Sequence, residues 1–173
     1  MSRRSSTSGE RWGTGRPRVV DAGVVIVPVA ADSSEARALI ELLDADLQRR
    51  YPGAVIHGLR PDEAQDPRLS FFVARDGGEA VGCAALRELG PHTGEVKRMF
   101  VRDGYRGRGI ARRLIDALET RGRELGYDTL RVETGEGQPE AINLYQSAGY
   151  TPIPPFGEYA GNSYSRCFEK RLP

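Results

Sequence analysis

The chain has 173 residues, which is enough for one domain with a hydrophobic core and short for two. Hydrophobic residues make up 39% and charged residues 28%, which is ordinary for a soluble globular protein and excludes a wholly disordered chain. The 25 Lys and Arg residues nearly balance the 24 Asp and Glu residues, so the net charge of +1 gives no bulk electrostatic reason to bind nucleic acid or an anionic membrane.

The N-terminal part of the sequence predicts a disordered extension, then a strand, then a helix. Residues 1–18 are rich in Ser, Gly, Thr and Arg without periodicity, whereas residues 18–29 are β-branched and favour a strand. Asp32 or Ser33 is placed to cap a helix whose apolar residues recur at helical spacing. We therefore predict an extension at 1–18 and one domain at 19–173.

The rest of the chain alternates between strand and helix patterns, with no internal repeat and no linker that would divide domains. This order predicts a mixed α/β fold in which one sheet is flanked by helices. The predicted elements are a β-hairpin with strands at 69–75 and 79–88, a strand at 95–101, a helix at 110–125, a strand at 128–134, a helix from Pro139 to Gly149, and strands at 150–153 and 164–171.

Cysteine usage and hydropathy favour a cytoplasmic protein. Cys83 and Cys167 are far apart and form no C-x-x-C motif, so neither a disulfide framework nor a zinc site is predicted. The apolar run at 24–31 contains Pro28 and is too short to span a membrane. Only two of the 25 basic residues are lysines, a bias typical of GC-rich bacterial genomes.

A glycine-rich turn between a strand and a helix is the most informative segment. Gly107 and Gly109 directly precede the helix that begins at Ile110, where unpaired backbone amides and the positive end of the helix dipole favour an anion. The residues at 102–113 include a single acid, Asp103, and five arginines, which predicts a site for a polyanion: Arg102, Arg106, Arg108, Arg112 and Arg113. The alternative interpretation is that the glycines only form a tight turn and that the arginines lie on a solvated helix face.

Two common nucleotide motifs are excluded at this turn. A Walker loop requires Lys after its last glycine, and Ile110 follows Gly109. A dinucleotide fingerprint requires a third glycine at the position of Arg112. The anion is therefore neither a magnesium-bound nucleoside triphosphate nor a dinucleotide in a Rossmann site.

The wider segment resembles the GNAT superfamily of N-acetyltransferases. The sequence RGRGIA at 106–111 matches the family's R/Q-x-x-G-x-G/A signature, KRMFV at 97–101 resembles its central strand, and QPEAINLYQSAGY at 138–150 resembles its N-x-x-A-x-x-L-Y-x-x-x-G-F block. Gln138 replaces the usual Asn, and Ala111 replaces the commoner Gly. The resemblance covers residues 69–173 and implies a mostly antiparallel mixed sheet that splays at two parallel strands.

The resemblance implies that acetyl-CoA is the co-substrate and that no metal is needed. Its pantetheine arm would pair with the backbone of Met99, Phe100 and Val101, in a cleft between the strands at 95–101 and 128–134. Its pyrophosphate would bind the residues of the turn, which are Arg106, Gly107, Arg108, Gly109, Ile110 and Ala111, and Asn143 would add a hydrogen bond. Simple alternation places Glu95, Lys97 and Met99 on one face and Val96, Arg98 and Phe100 on the other.

The same resemblance suggests the catalytic groups. Tyr145 resembles the family's general acid, since a phenol with a pKa of about 10 can protonate a departing thiolate with a pKa of about 8.5. Glu95 is the first candidate for the base and Glu133 the second, while ordered water alone is a third possibility. A purely packing role for Tyr145 stays open.

Other residues carry weaker signals. We expect His57 and His92 to be surface residues and Cys167 to be a small buried residue, whereas Phe156, Glu158 and Tyr159 are candidates for an acceptor pocket.

The predicted function is acetyl transfer to a primary amine of a small molecule, by direct attack in a ternary complex. A protein N-terminal or lysine acetyltransferase and a non-catalytic acetyl-CoA-binding module are the alternatives. Neither nucleic acid nor a membrane is an expected partner, and a homodimer stays open.

Overall fold

The computed structural model describes residues 23–173, so the extension predicted at 1–18 and the first part of the strand predicted from 18 lie outside the described residues. Seven strands and four helices are present in this part of the chain. The strands are β1 (Val24–Val29), β2 (Ser70–Asp76), β3 (Glu79–Gly90), β4 (Thr93–Val101), β5 (Thr129–Gly135), β6 (Thr151–Ile153) and β7 (Ser165–Arg171). The helices are α1 (Ser34–Arg50), α2 (Pro61–Ala64), α3 (Ile110–Glu124) and α4 (Pro139–Ser147), and a single 3-10 turn spans Gly157–Tyr159.

Helix α1 follows the predicted capping pattern. The hydroxyl of Ser33 accepts a hydrogen bond from the amide of Ala36 at 3.3 Å, which satisfies one of the unpaired donors of the first turn. Ala36, Leu39 and Leu43 are buried against the sheet, as their helical spacing predicts. The short helix α2 was not predicted, because only four residues form it and Pro61 at its start also suits a loop.

The strands form one sheet in the order β1-β2-β3-β4-β5-β7-β6, in which only β4 and β5 run parallel. The predicted mixed, mostly antiparallel sheet is therefore confirmed. A larger hydrophobic cluster packs on the face that α3 and α4 cover, and a second cluster packs on the face that α1 covers. Both faces of the central strands are buried, as expected of a sheet between helices.

The two parallel strands separate halfway along their length, as predicted. Their pairing runs from Thr93 and Thr129 to Val96 and Val132, where it stops. Beyond that pair β4 continues to Val101 and β5 stays paired with β7 on its other side as far as Gly135. The backbone of β4 that faces β5 is thus left without a strand partner beyond Val96.

A β-bulge in β4 overturns the predicted alternation of its side chains. Between the pairs Cys83–Phe100 and Ala85–Lys97, two residues of β4 oppose one residue of β3. Arg98 lies in this bulge with a positive φ of 57°, which is rare for a residue other than glycine. Met99 therefore packs on the cluster of Val96, and Phe100 joins the cluster on the opposite face. The expectation that Met99 shares a face with Glu95 and Lys97 was wrong.

The close packing around Gly94 gives a first testable prediction. A Cβ at this position would lie 2.7 Å from the ring of Tyr127, 2.8 Å from Leu86 and 2.9 Å from Leu130. We expect Gly94→Ala to lower the free energy of unfolding by about 1–3 kcal/mol, measured by urea denaturation, because the core must shift to admit the methyl group. Gly90→Ala is the matched control, since a Cβ there meets open space; equal losses in both variants would contradict this account.

Candidate active site

A cavity of about 470 Å³ opens at the point where β4 and β5 separate. Lys97, Arg98 and Met99 line it from β4, and Glu133, Thr134 and Gly135 line it from β5. Residues from α1, from the loop that follows α1, from α4 and from the segment before β7 complete its walls. The splayed pair of strands therefore makes a cleft with polar groups on both of its strand walls.

Tyr145 lines this cavity from the buried face of α4. The residue is 3% exposed, and its ring packs edge to face with that of Tyr150 at a centroid distance of 5.8 Å. Burial, together with the nearby negative charge of Glu133, raises the pKa of the Tyr145 phenol. The phenol therefore stays protonated at neutral pH, which a proton donor requires.

Glu133 lines the same cavity from the end of β5. Burial raises the pKa of its carboxyl, although the hydrogen bond from Ser165 and the positive charges of His57 and Lys97 oppose that rise. The Ser165 hydroxyl donates to Glu133 Oε1 at 2.7 Å, which leaves the second carboxylate oxygen available within the described residues. Glu133 and Tyr145 are thus the two predicted catalytic residues that the fold brings to one cavity.

Glu95, the first candidate for the base, lies outside the residues that line the cavity. Only 1% of Glu95 is exposed, and both of its carboxylate oxygens have partners. Arg87 Nε donates to Oε2 at 2.8 Å, and the hydroxyl of Tyr159 donates to Oε1 at 2.6 Å. This geometry makes Glu95 an anchor for Tyr159, which itself lines the cavity.

Glu158 links the segment before β7 to the cavity through contacts with Arg87, Lys97 and His57. Arg87 donates to its Oε1 at 2.9 Å and Lys97 at 3.4 Å, while His57 Nδ1 lies 3.2 Å from Oε2. Burial raises the pKa of Glu158, but the charges of Lys97 and Arg87 outweigh it and bring the pKa to about 2. His57 is partly exposed and also lines the cavity, which the sequence did not predict, and His92 is exposed, as predicted.

Sequence reasoning missed Lys97 and Arg98 as residues of the cavity. Both are charged residues in a strand whose side chains are mostly buried, and 6% of each is exposed. A charged side chain in a buried strand needs a partner, which is the signal that could have marked them.

Of the candidates in the loop at 154–159, Tyr159 lines the cavity, whereas Glu158 reaches it only through Lys97 and His57. Cys167 is 3% exposed and carries a free thiol, which confirms it as a small buried residue.

The glycine-rich turn lies at the start of α3, as predicted. Gly107 and Gly109 have positive φ values of 78° and 79°, and a Cβ at either position would meet open space. Gly109 is the N-terminal cap of α3 and supplies no side chain to satisfy the first amides of the helix, while Ile110 is buried in the core and Ala111 packs on it. Within the described residues the amides of Gly107 and Gly109 have no hydrogen-bond acceptor. The turn thus offers amides to an anion.

Arginines around this turn pair with acids, some of them within the turn and α3 and others on other elements. Arg102 pairs with Glu79, Arg108 with Asp76 at 2.9 Å, and Arg112 with Asp116 at 3.3 Å, while Arg106 contacts Asp103 and Asp46. The excess of positive charge that the sequence predicts at 102–113 is therefore partly neutralised by these acids in the folded chain. Exposed ion pairs contribute at most about 1 kcal/mol each, so an incoming phosphate can compete for these guanidinium groups.

The other residues predicted to contact the cofactor are Met99, Phe100, Val101 and Asn143. Met99 lines the cavity. Phe100 and Val101 are 8% exposed and pair with Cys83 and Gly82 of β3. The carbonyl oxygen of Val101 already accepts a hydrogen bond from Arg106 Nε at 2.9 Å. Asn143 is exposed on α4 and lies outside the cavity.

No helix between residues 23 and 173 is both long and apolar enough to cross a bilayer. In the same range no three His, Cys, Asp or Glu side chains are grouped so that they could hold a metal ion.

Comparison with known proteins identifies the chain as an acyltransferase. Residues 37–150 match the acetyltransferase (GNAT) family, and the chain belongs to this family. An IAA acetyltransferase from Azospirillum brasilense is 40% identical over 135 residues, which cover 78% of this chain and 88% of the relative. A crystal structure of a Klebsiella pneumoniae protein assigned as an acyl-CoA N-acyltransferase has a TM-score of 0.78 and 33% identity, and the match covers 88% of this chain and 100% of that one.

A family member from Elizabethkingia anophelis, solved with acetyl-CoA bound, shares the fold with a TM-score of 0.61 at 18% identity, over 88% of this chain and 100% of that one.

Proposed function

We propose that this protein transfers the acetyl group of acetyl-CoA to a primary amine of a small molecule, by direct attack within a ternary complex. The observation that carries the proposal is that Tyr145 and Glu133 line one cavity where β4 and β5 separate. The name of the Azospirillum brasilense relative supports a small-molecule acceptor.

In this proposal acetyl-CoA binds along α3 and β4. The amides of residues 106–111 receive the pyrophosphate, with Arg106 and Arg108 beside it. The pantetheine arm follows the edge of β4 beyond Val96, where the backbone has no strand partner toward β5. Met99, Phe100 and Val101 supply that edge, and Asn143 adds a contact from α4.

The reaction exchanges a thioester for an amide. The amine nitrogen of the acceptor forms a bond to the carbonyl carbon of the acetyl group, and the bond between that carbon and the CoA sulfur breaks. Glu133 takes a proton from the acceptor's ammonium group, directly or through water, before the attack, and Tyr145 gives a proton to the departing thiolate. The nitrogen loses a second proton as the amide forms, and this proton restores the phenol of Tyr145. We assign the base to Glu133 rather than Glu95, because Glu133 lines the cavity, whereas Glu95 does not and both of its oxygens already accept hydrogen bonds.

The binding of acetyl-CoA at the turn can be tested by thermal shift. Acetyl-CoA should raise the Tm of the wild-type protein, because a ligand that binds only the native state stabilises it. Gly107→Val and Gly109→Val should each reduce or abolish this shift, since valine does not tolerate their positive φ and so displaces the amides. Gly104→Val is the matched control: it has a positive φ and open surroundings but lies outside residues 106–111. A shift that survives in both test variants would refute the turn as the phosphate site.

The transfer itself is tested by release of the CoA thiol with a panel of amines, and mass spectrometry of the products should show acetamides. Small primary amines should give release, whereas peptides with a free N-terminus or lysine should give little. Efficient acetylation of peptides would favour a protein substrate instead. Binding of acetyl-CoA without transfer to any acceptor would favour a non-catalytic module.

A further inference from the structure

The cations in the wall of the cavity are already paired with carboxylates. Arg98 Nη2 forms an ion pair with Asp44 of α1, and Lys97 Nζ donates to Glu158 Oε1 at 3.4 Å. His57 Nδ1 lies 3.2 Å from the other oxygen of Glu158. The described part of the chain thus offers this cavity no cation without a carboxylate partner.

Glu133 is the acid of the cavity that lacks such a partner. Among the described residues it forms no ion pair, and its one hydrogen bond comes from the hydroxyl of Ser165. Apart from His57, the charged side chains that line the cavity and the acids paired with them are two cations and three carboxylates: Lys97 and Arg98, then Asp44, Glu133 and Glu158. This excess of one negative charge favours a ligand that carries a cation and disfavours one that carries an anion.

The outer wall of the cavity is an uncharged run of residues after α1. All seven residues at 51–57 line the cavity, and the first six of them, YPGAVI, carry neither a charge nor an amide side chain. Pro52, Ala54 and Val55 are exposed although they are apolar. Leu43 and Leu47 of α1 line the same cavity. This wall can bind a ligand through apolar contacts and has no charge with which to hold a polar one.

Exposed apolar side chains reach the cavity from two separate segments. Four large hydrophobic side chains in the described part of the chain are strongly exposed: Val25, Leu42, Val55 and Tyr164. Val55, at 82% exposed, and Tyr164, at 63%, line the cavity, whereas Val25 and Leu42 do not. Val55 lies in the loop after α1 and Tyr164 in the segment before β7. An apolar ligand in the cavity would cover surface that is otherwise left in water.

We infer that the acceptor is an apolar monoamine, a molecule whose only charge is its ammonium group and whose body is an arylalkyl or branched alkyl chain. This inference rests on the proposed transfer to a small-molecule amine and narrows its substrate class. The ammonium group lies beside Glu133, which takes its proton in the proposed reaction, and the body packs against the run at 51–56 and Tyr164. An amino acid is a poor acceptor, because its carboxylate would lose water in a cavity whose described cations are already paired.

Four acceptors separate the effect of charge from that of the apolar body. Phenethylamine is the apolar monoamine, phenylalanine adds a carboxylate, phenylalaninol adds an uncharged group of similar size at the same carbon, and ethylamine lacks the apolar body. The rate of CoA release is measured with the wild-type protein and acetyl-CoA. We expect kcat/KM for phenethylamine to exceed that for phenylalanine and that for ethylamine by about tenfold or more, and phenylalaninol should also exceed phenylalanine.

Two results of this comparison would overturn the inference and leave the proposed function intact. Equal kcat/KM for phenylalanine and phenylalaninol would show that the cavity tolerates a carboxylate. Equal kcat/KM for phenethylamine and ethylamine would show that the apolar walls do not bind the acceptor. CoA release with none of the four and with no other primary amine would overturn both the inference and the proposed function.

The four exposed hydrophobic residues provide a matched pair of double variants. Val55→Ser with Tyr164→Ser should raise KM for phenethylamine by about fivefold or more and leave KM for ethylamine nearly unchanged, because only the larger amine reaches these side chains. Val25→Ser with Leu42→Ser is the control, since it removes as many exposed hydrophobic side chains away from the cavity and should change neither KM. An unchanged KM for phenethylamine in the first double variant, or an equal rise in both, would overturn the inference.

Discussion

Replacing Tyr145 by phenylalanine is expected to lower kcat by about 10²–10⁴-fold, the usual contribution of a positioned proton donor. The change removes one hydroxyl from the cavity and little volume, so acetyl-CoA should raise the Tm of this variant as it does that of the wild-type protein. Steady-state kinetics of CoA release, together with the thermal shift, provide the measurement. Because kcat and kcat/KM should fall together, the loss would mark an interaction made in the transition state.

Tyr150 offers a matched control for this substitution. It is 2% exposed, its ring lies 5.8 Å from that of Tyr145, and it does not line the cavity. Tyr150→Phe should keep kcat close to the wild-type value. Full activity of Tyr145→Phe, or an equal loss in both variants, would reduce Tyr145 to a packing residue.

Replacing Glu133 by glutamine is expected to have a large effect on kcat/KM and on its dependence on pH. A carboxylate base acts only when ionised, so activity should fall as the pH drops through the pKa of Glu133, which burial raises above the ordinary range. The wild-type profile of kcat/KM against pH should therefore have an acidic limb displaced to higher pH. Glu133→Gln should remove that limb and lower kcat/KM by about 10²–10⁴-fold near neutral pH.

The variant Glu95→Gln tests which of the two glutamates, Glu95 or Glu133, acts as the base. The oxygens of Glu95 accept hydrogen bonds from Arg87 and Tyr159, so the variant should lose stability, measured as a lower Tm without ligand. The acidic limb should remain, because the base is still in place. The opposite pattern, with the limb lost in Glu95→Gln and kept in Glu133→Gln, would return the role of base to Glu95. A limb retained in both variants would mean that water accepts the proton.

Features that depend on neighbouring residues in the chain were predictable. Ser33 caps α1, the glycines of the turn adopt positive φ, and the apolar face of α3 is buried, because each depends on residues within a few positions of one another. The order of these elements, together with the motifs at 106–111 and 138–150, was enough to predict the splayed sheet. Tyr145 and Glu133 also reach the predicted cleft, since α4 and β5 follow each other directly.

The sequence by itself thus determined the strands, the longer helices and their order, and it predicted the glycine-rich turn that we propose as the phosphate site. The surroundings of the charged groups were decided by the tertiary structure. Glu95 meets Tyr159 from 64 positions away, and Arg98 meets Asp44 from 54 positions away, so no local pattern reports either contact. The bulge at Arg98 arises from the register of β4 against β3, and one extra residue is enough to move every later side chain to the other face. The physical reason is common to all three: partners, burial and register depend on segments that only the folded chain brings together.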